Sequence, residues 1–171
     1  TGASIMLSKI NLESLKGVVK TALREFYEND SLLFNYTTTA SSERSMVFRI
    51  GHYMQNEINK NELYNELIID CEYNRHGNNV KQINNEKILP DLILHKRKND
   101  ESNILIMEFK KETNQGDGVS NDLKKLKYLT AKNFKYKYRY GFHVVLKNEE
   151  AEISVYENGI EKCCFTCGSV K

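Results

Sequence analysis

Residues 88–111, ILPDLILHKRKNDESNILIMEFKK, decide how this chain is read. Two apolar runs, DLILH and NILIMEF, flank a polar loop, and both have the β-branched and aliphatic content of strands. Each carries charge where a buried strand should carry none. Asp91 opens the first run behind the chain's only proline, Pro90, while Glu108 and Lys110 stand inside or at the end of the second. Proline lacks a donor and is tolerated at the first residue of a strand, so its position fits the reading.

Side chains alternate along a strand. Glu108 and Lys110 therefore share a face with Ile104 and Ile106, and Met107 and Phe109 take the other. A strand that is apolar on both faces is buried on both, so its charged end requires partners. The loop 98–102 suits an antiparallel hairpin that brings Asp91 toward Glu108 and Lys110. A shift of one residue in register would turn Asp91 to the opposite face, and the sequence leaves both registers open.

Two carboxylates on adjacent strand ends offer hard oxygen ligands to Mg²⁺ or Mn²⁺, ions that keep several waters and accept a phosphate oxygen. Such a metal polarises phosphorus and lowers the pKa of bound water. Lys110 beside it would orient or deprotonate the attacking water and stabilise charge developing on the phosphate. The alternative at the same residues is a buried ion pair between Lys110 and either acid.

Around this stretch, Leu12, Leu15, Val19, Leu23 and Phe26 recur at helical spacing from Asn11 to about Asn29. Val47, Ile50, Met54 and Ile58 form the stripe of a second helix that starts near Ser42 behind cap-type residues. LIIDCEYNR is a further strand, separated from DLILH by a long polar loop over 76–89. A glycine-rich loop then leads into a third helix with Val119, Leu123, Leu126 and Leu129 at its apolar positions, and YRYGFHVVLKN and AEISVYENG are closing strands. The expected order is α-α-β-β-β-α-β-β, an α/β fold with a mixed sheet and helices packed on its faces.

The succession of PD, a hairpin-containing spacer and an apolar strand bearing E-x-K resembles the PD-(D/E)xK nuclease superfamily. The matching residues are Pro90, Asp91, Glu108 and Lys110. The wider pattern, ER opening a helix, then CEYNR, PDLILH, NILIMEFKK and DLKKL, is similar to small stand-alone prokaryotic members of that superfamily, from about Glu43 to Val155. The resemblance implies a restriction-endonuclease-like fold and a metal-dependent nuclease. It also implies DNA rather than RNA as the partner, and Glu43 as a further metal-site carboxylate from the helix before the sheet. The residue-level alternative for Glu43 is an acid favoured by the helix N-terminal dipole. A non-catalytic nucleic-acid-binding or assembly module that keeps the fold is the competing class.

Other charged positions have two readings each. Arg44 and Arg49 could reach phosphates or simply solvate their helix. Glu72 is an outer ligand or the partner of Arg75 or Lys96, and His95 is a phosphate contact or a hydrogen-bonded strand histidine. Residues 135–141, KYKYRYG, read as a strand would align Lys135, Lys137 and Arg139 on one face opposite three tyrosines. That basic row, extended by Lys124, Lys125 and Lys127 and joined by Arg75, would hold backbone phosphates or else guard a strand edge.

Length and composition set the limits. The 171 residues fit one domain able to bury a core without staples, expected over 6–171, with TGASI at 1–5 read as a cloning remnant. No apolar run is long enough to cross a bilayer. Cys71 stands alone and Cys163, Cys164 and Cys167 crowd the C-terminus, a pattern of reduced cytoplasmic thiols with no second pair for a zinc site. A net charge of +2 excludes a strongly polycationic protein and leaves only local clusters to favour a polyanion. A single compact site cuts one strand, so cleavage of both strands of a duplex would suggest a homodimer.

Overall fold

The helical spacing between Asn11 and Asn29 folds as α1 (Leu12–Asn29), fixed at its start by a capping box in which Asn11 accepts from the Ser14 backbone N–H and Ser14 accepts from Asn11. The computed structural model describes residues 7–35, 40–75, 79–98, 102–114 and 116–169. The segment read as a remnant lies outside them. The second helix is α2 (Ala40–Ile58), two residues earlier than its cap-type residues suggested, and its stripe Val47, Ile50, Met54 and Ile58 is buried.

The strands follow as β1 (Ile68–Cys71), β2 (Gln82–Ile83), β3 (Glu86–Lys87), β4 (Leu92–His95) and β5 (Leu105–Lys111), then α3 (Asp117–Thr130), β6 (Tyr140–Leu146), β7 (Glu150–Glu157) and β8 (Ile160–Gly168). Six of them form one mixed sheet in the order β1-β4-β5-β6-β7-β8. Only the β5–β6 pair is parallel, because α3 carries the chain across between them; every other neighbouring pair is antiparallel. This is the expected α/β class. Two features exceed the expectation: β2 and β3 make a short hairpin inside the polar loop, and the cysteine-rich terminus forms the edge strand β8.

The two faces of the sheet are covered differently. Leu92, Leu94, Leu105, Met107, Phe109, Phe142 and Val144 join the buried side chains of α1 and α2 in the main core. Ile93 and Ile106 point the other way, into a smaller cluster with Leu126, Leu129, Tyr136 and Tyr138. Two glycines allow the close layers. A Cβ on Gly51 of α2 would lie 2.9 Å from a Leu92 methyl, and one on Gly141 of β6 would lie 3.0 Å from Thr130 of α3.

The strand expected to contain KYKYRYG begins only at Tyr140. Residues 131–139 are turns and irregular chain, with Lys137 at a φ of 44°. The alternating basic face is therefore absent. The tyrosines explain why: Tyr136 accepts from the Gln82 N–H at 2.6 Å and Lys81 donates to the Tyr138 hydroxyl at 2.5 Å, so both rings are pulled in against the β2–β3 hairpin.

Candidate active site

The register Leu92↔Met107 and Ile93↔Ile106 places Asp91 and Glu108 on the same face of β4 and β5, the face toward α3. Asp91 stands just ahead of β4 with its Oδ2 accepting from the Phe109 N–H at 2.7 Å. That bond draws the carboxylate over the end of β5. Glu108 lies beneath it, only 2 % exposed. Lys110 follows two residues on, with its Nζ 3.0 Å from Asp122 Oδ2 of α3.

Helix α3 supplies the rest of the charge. Lys125 Nζ is 2.9 Å from Glu108 Oε1 and 3.7 Å from Asp122 Oδ1. The result is a chain of alternating charge, Glu108, Lys125, Asp122, Lys110, strung between one strand and one helix. His143 of β6 is paired in register with Glu108 and is buried on the same side. Glu108 Oε1, Asp122 Oδ2 and His143 Nε2 have no well-aligned hydrogen bond, the first two being approached by ammonium groups at ion-pair distance only.

The electrostatics follow from burial and acid excess. Burial, opposed by the Phe109 N–H and by Lys110 and Lys125, pushes Asp91 up to about 6. Burial first and repulsion from Asp91 second push Glu108 up to about 8, although Lys125 pulls it down. Burial alone would lower Lys110, but the contact with Asp122 and the charges of Glu43 and Asp91 hold it above its ordinary value. Lys110 is thus a fixed cation near neutrality and not a base awaiting a proton. Burial lowers His143, keeping the ring neutral.

The remaining expected residues divide. Glu43, in the first turn of α2, accepts from the Lys111 N–H at 3.0 Å and lines a cleft with Arg44, Val47, Phe48, Cys71, Glu72 and Asp91. Among the described residues no group of three His, Cys, Asp or Glu side chains is gathered at one point. Glu72 leaves strand geometry at a φ of 48° and pairs with Arg44 instead of Arg75 or Lys96. His95 is the hydrogen-bonded strand histidine, 2.8 Å from Asp70.

Two of the basic residues are held by the protein's own groups. Lys125 is turned inward onto Glu108 and Asp122. Arg139 donates to the carbonyls of Leu7 and Ile10 at 2.9 and 2.7 Å, tying down the chain before α1. Lys124, Lys135, Lys137 and Arg75 remain exposed. Asp122 escaped the sequence reading, yet it left a signal. Val119, Asp122, Leu126 and Leu129 keep a 3-4-3 spacing, so an acid occupies the buried stripe where Leu123 was expected, and Leu123 is only half-buried.

A half-buried and a buried carboxylate that repel each other and have hard oxygen atoms fit a small divalent cation with its coordination completed by water. Both donors are hard carboxylate oxygens, which fit Mg²⁺ or Mn²⁺ better than a softer metal. No helix among the described residues is long and apolar enough to cross a membrane. Searches with this chain against protein-family models, curated proteins and solved structures find no match.

Proposed function

We propose that the protein is a metal-dependent nuclease that hydrolyses phosphodiester bonds, with DNA as its substrate and a restriction-endonuclease-like fold. One observation carries the reading: Asp91, which lines a cleft just ahead of β4, and the buried Glu108 of the adjoining β5 stand on the same face, and each is destabilised as an anion. The mixed sheet between α2 and α3 is consistent with that fold.

Asp91 and Glu108 would hold Mg²⁺ or Mn²⁺, which supplies Lewis-acid polarisation of the phosphate and a more acidic water. The chain's own groups do the rest. Lys110 remains charged and presents its ammonium to the negative charge that builds on phosphorus. Asp122 fixes the direction of Lys110, and Lys125 keeps Glu108 from being the sole charge in its pocket. Glu43, bonded to the Lys111 backbone, fixes the end of β5. Exposed Lys124, Lys135, Lys137 and Arg75 are available to backbone phosphates.

A second reading has its own support. Glu108 with Lys125 and Lys110 with Asp122 can be regarded as a self-contained ion network, as in a nucleic-acid-binding or assembly module without catalysis. The two are separated by incubating the protein with plasmid, linear duplex and single-stranded DNA in Mg²⁺, Mn²⁺ and chelator. The nuclease reading expects metal-dependent cleavage that Lys110→Ala abolishes. Binding without cleavage in either metal would favour the module.

A further inference from the structure

The cleft that contains Asp91 has an aromatic wall that the site described above does not use. Phe48, on α2, is 63 % exposed, although the rest of that helix buries its apolar residues in the main core. It lines the cleft with Glu43, Glu72 and Asp91, and it also lines an adjoining depression with Leu33, Arg44 and Arg49. Arg44 lies one helical turn before Phe48 and borders both hollows. The pair thus stands on the ridge between the acidic cleft and its neighbour, on a helix whose other sides pack on α1 and the sheet.

Resting on the nuclease reading, we infer that Phe48 is a stacking platform for an unpaired nucleobase, with Arg44 serving the adjoining phosphate, so that the site takes single-stranded or frayed substrate. An aromatic ring on a rigid helix gains stacking energy only from a base with a free face, and inside a duplex both faces of a base are already covered. Charge complementarity favours this occupant over an apolar peptide. Arg44 is 76 % exposed and its ion-pair partner, Glu72, is 3.5 Å away and itself 45 % exposed, a weak surface pair that a phosphate can displace. Arg49 is committed to Asp30 and Tyr53, so it shapes the second hollow without offering its charge.

The acids that line the same cleft complete the selection. Glu43, Glu72 and Asp91 repel a bare phosphate except where a divalent cation intervenes. A strand crossing the ridge is therefore admitted with a phosphate at the metal-holding carboxylates and with its neighbouring base on Phe48.

The test is fluorescence anisotropy of one labelled oligonucleotide, as a single strand and annealed to its complement, in Ca²⁺, a cation of looser oxygen geometry than Mg²⁺. Wild type is compared with Phe48→Leu, which keeps an apolar side chain but no π face, and with Phe48→Trp, which keeps the face. Single-strand affinity should fall about ten-fold in Phe48→Leu and be retained in Phe48→Trp, with duplex affinity unchanged in both. Equal single-strand binding by wild type and Phe48→Leu overturns the inference and leaves the nuclease reading standing. So does an equal loss for both DNA forms. Sedimentation of wild type as a dimer that Phe48→Leu dissociates also overturns it, and would assign the ridge to contact between copies. No binding of either DNA form by wild type overturns both.

Discussion

The two faces of the central sheet solve the same burial problem by different means. Toward α1 and α2, Leu92, Leu94, Leu105, Met107 and Phe109 are at most 1 % exposed and need nothing but each other. Toward α3, the same two strands present Ile93 and Ile106 and then change to Asp91, Glu108 and Lys110. There, every buried charge must find an opposite one, and α3 gives up two positions on its inner side, Asp122 and Lys125, to provide them. The apolar face is what a fold requires. The charged end of the other face costs stability, since a few more aliphatic residues would have packed there with less penalty, and in the proposed nuclease it serves the chemistry.

That difference can be broken by substitution. Lys110→Ala should cost the largest effect, a loss of ~10²–10³-fold in cleavage rate, with a much smaller change in melting temperature. A measured loss of fold with no activity to lose would erase the distinction between the faces. Phe109→Ala, one residue away on the apolar side, should do the reverse and destabilise by ~3–5 kcal/mol in denaturant titration. Any hydrolysis per folded molecule should survive it. Asp122→Asn should fall between, lowering kcat ~10–100-fold with KM little changed, and Asp122→Glu should recover part of the loss. If Asp122→Asn instead changed only stability, the charged end would be structural on the helix side.

How much of this was legible depends on which force was in charge. The apolar stripes of α1 and α2 and the alternation in β5 express simple burial, and their elements appear within a residue or two of expectation. The β4–β5 hairpin followed from loop length. Residues 135–139 misled because a basic and aromatic alternation imitates a strand, whereas hydrogen bonds that Tyr136 and Tyr138 accept from the distant Gln82 and Lys81 determine the backbone there. Those bonds span more than fifty residues of chain and leave no local trace. Arg139 misled for the same reason, its partners being carbonyls at the far end of the sequence. At the site, Asp91, Glu108 and Lys110 stood out as charges in apolar runs. Asp122 made the same kind of exception on a helix, but the adjacent Leu123 supplied a plausible apolar stripe that hid it.

The carboxylate pair also sets a pH dependence. Glu108 rises from an ordinary 4.5 to about 8 and Asp91 from 3.8 to about 6, so between about pH 4 and 8 the folded protein keeps protons that the unfolded chain has released. Their contribution to stability is therefore full at the acid end and is lost as pH rises through the folded values. A divalent cation should offset that loss, and more at pH 8 than at pH 5, where protons compete for the same oxygens. Asp91→Asn keeps an oxygen for the Phe109 N–H while removing the repulsive charge.

Thermal melting of wild type and Asp91→Asn at pH 8, with and without Mn²⁺, is accordingly the most direct examination of the claim that Asp91 and Glu108 hold a metal. Wild type should melt several degrees higher with Mn²⁺, and Asp91→Asn should equal or exceed metal-free wild type while showing no response to the ion. A wild type indifferent to Mn²⁺ and to Mg²⁺, together with an Asp91→Asn variant that unfolds, would mean that the two acids serve only the ion network with Lys110 and Lys125.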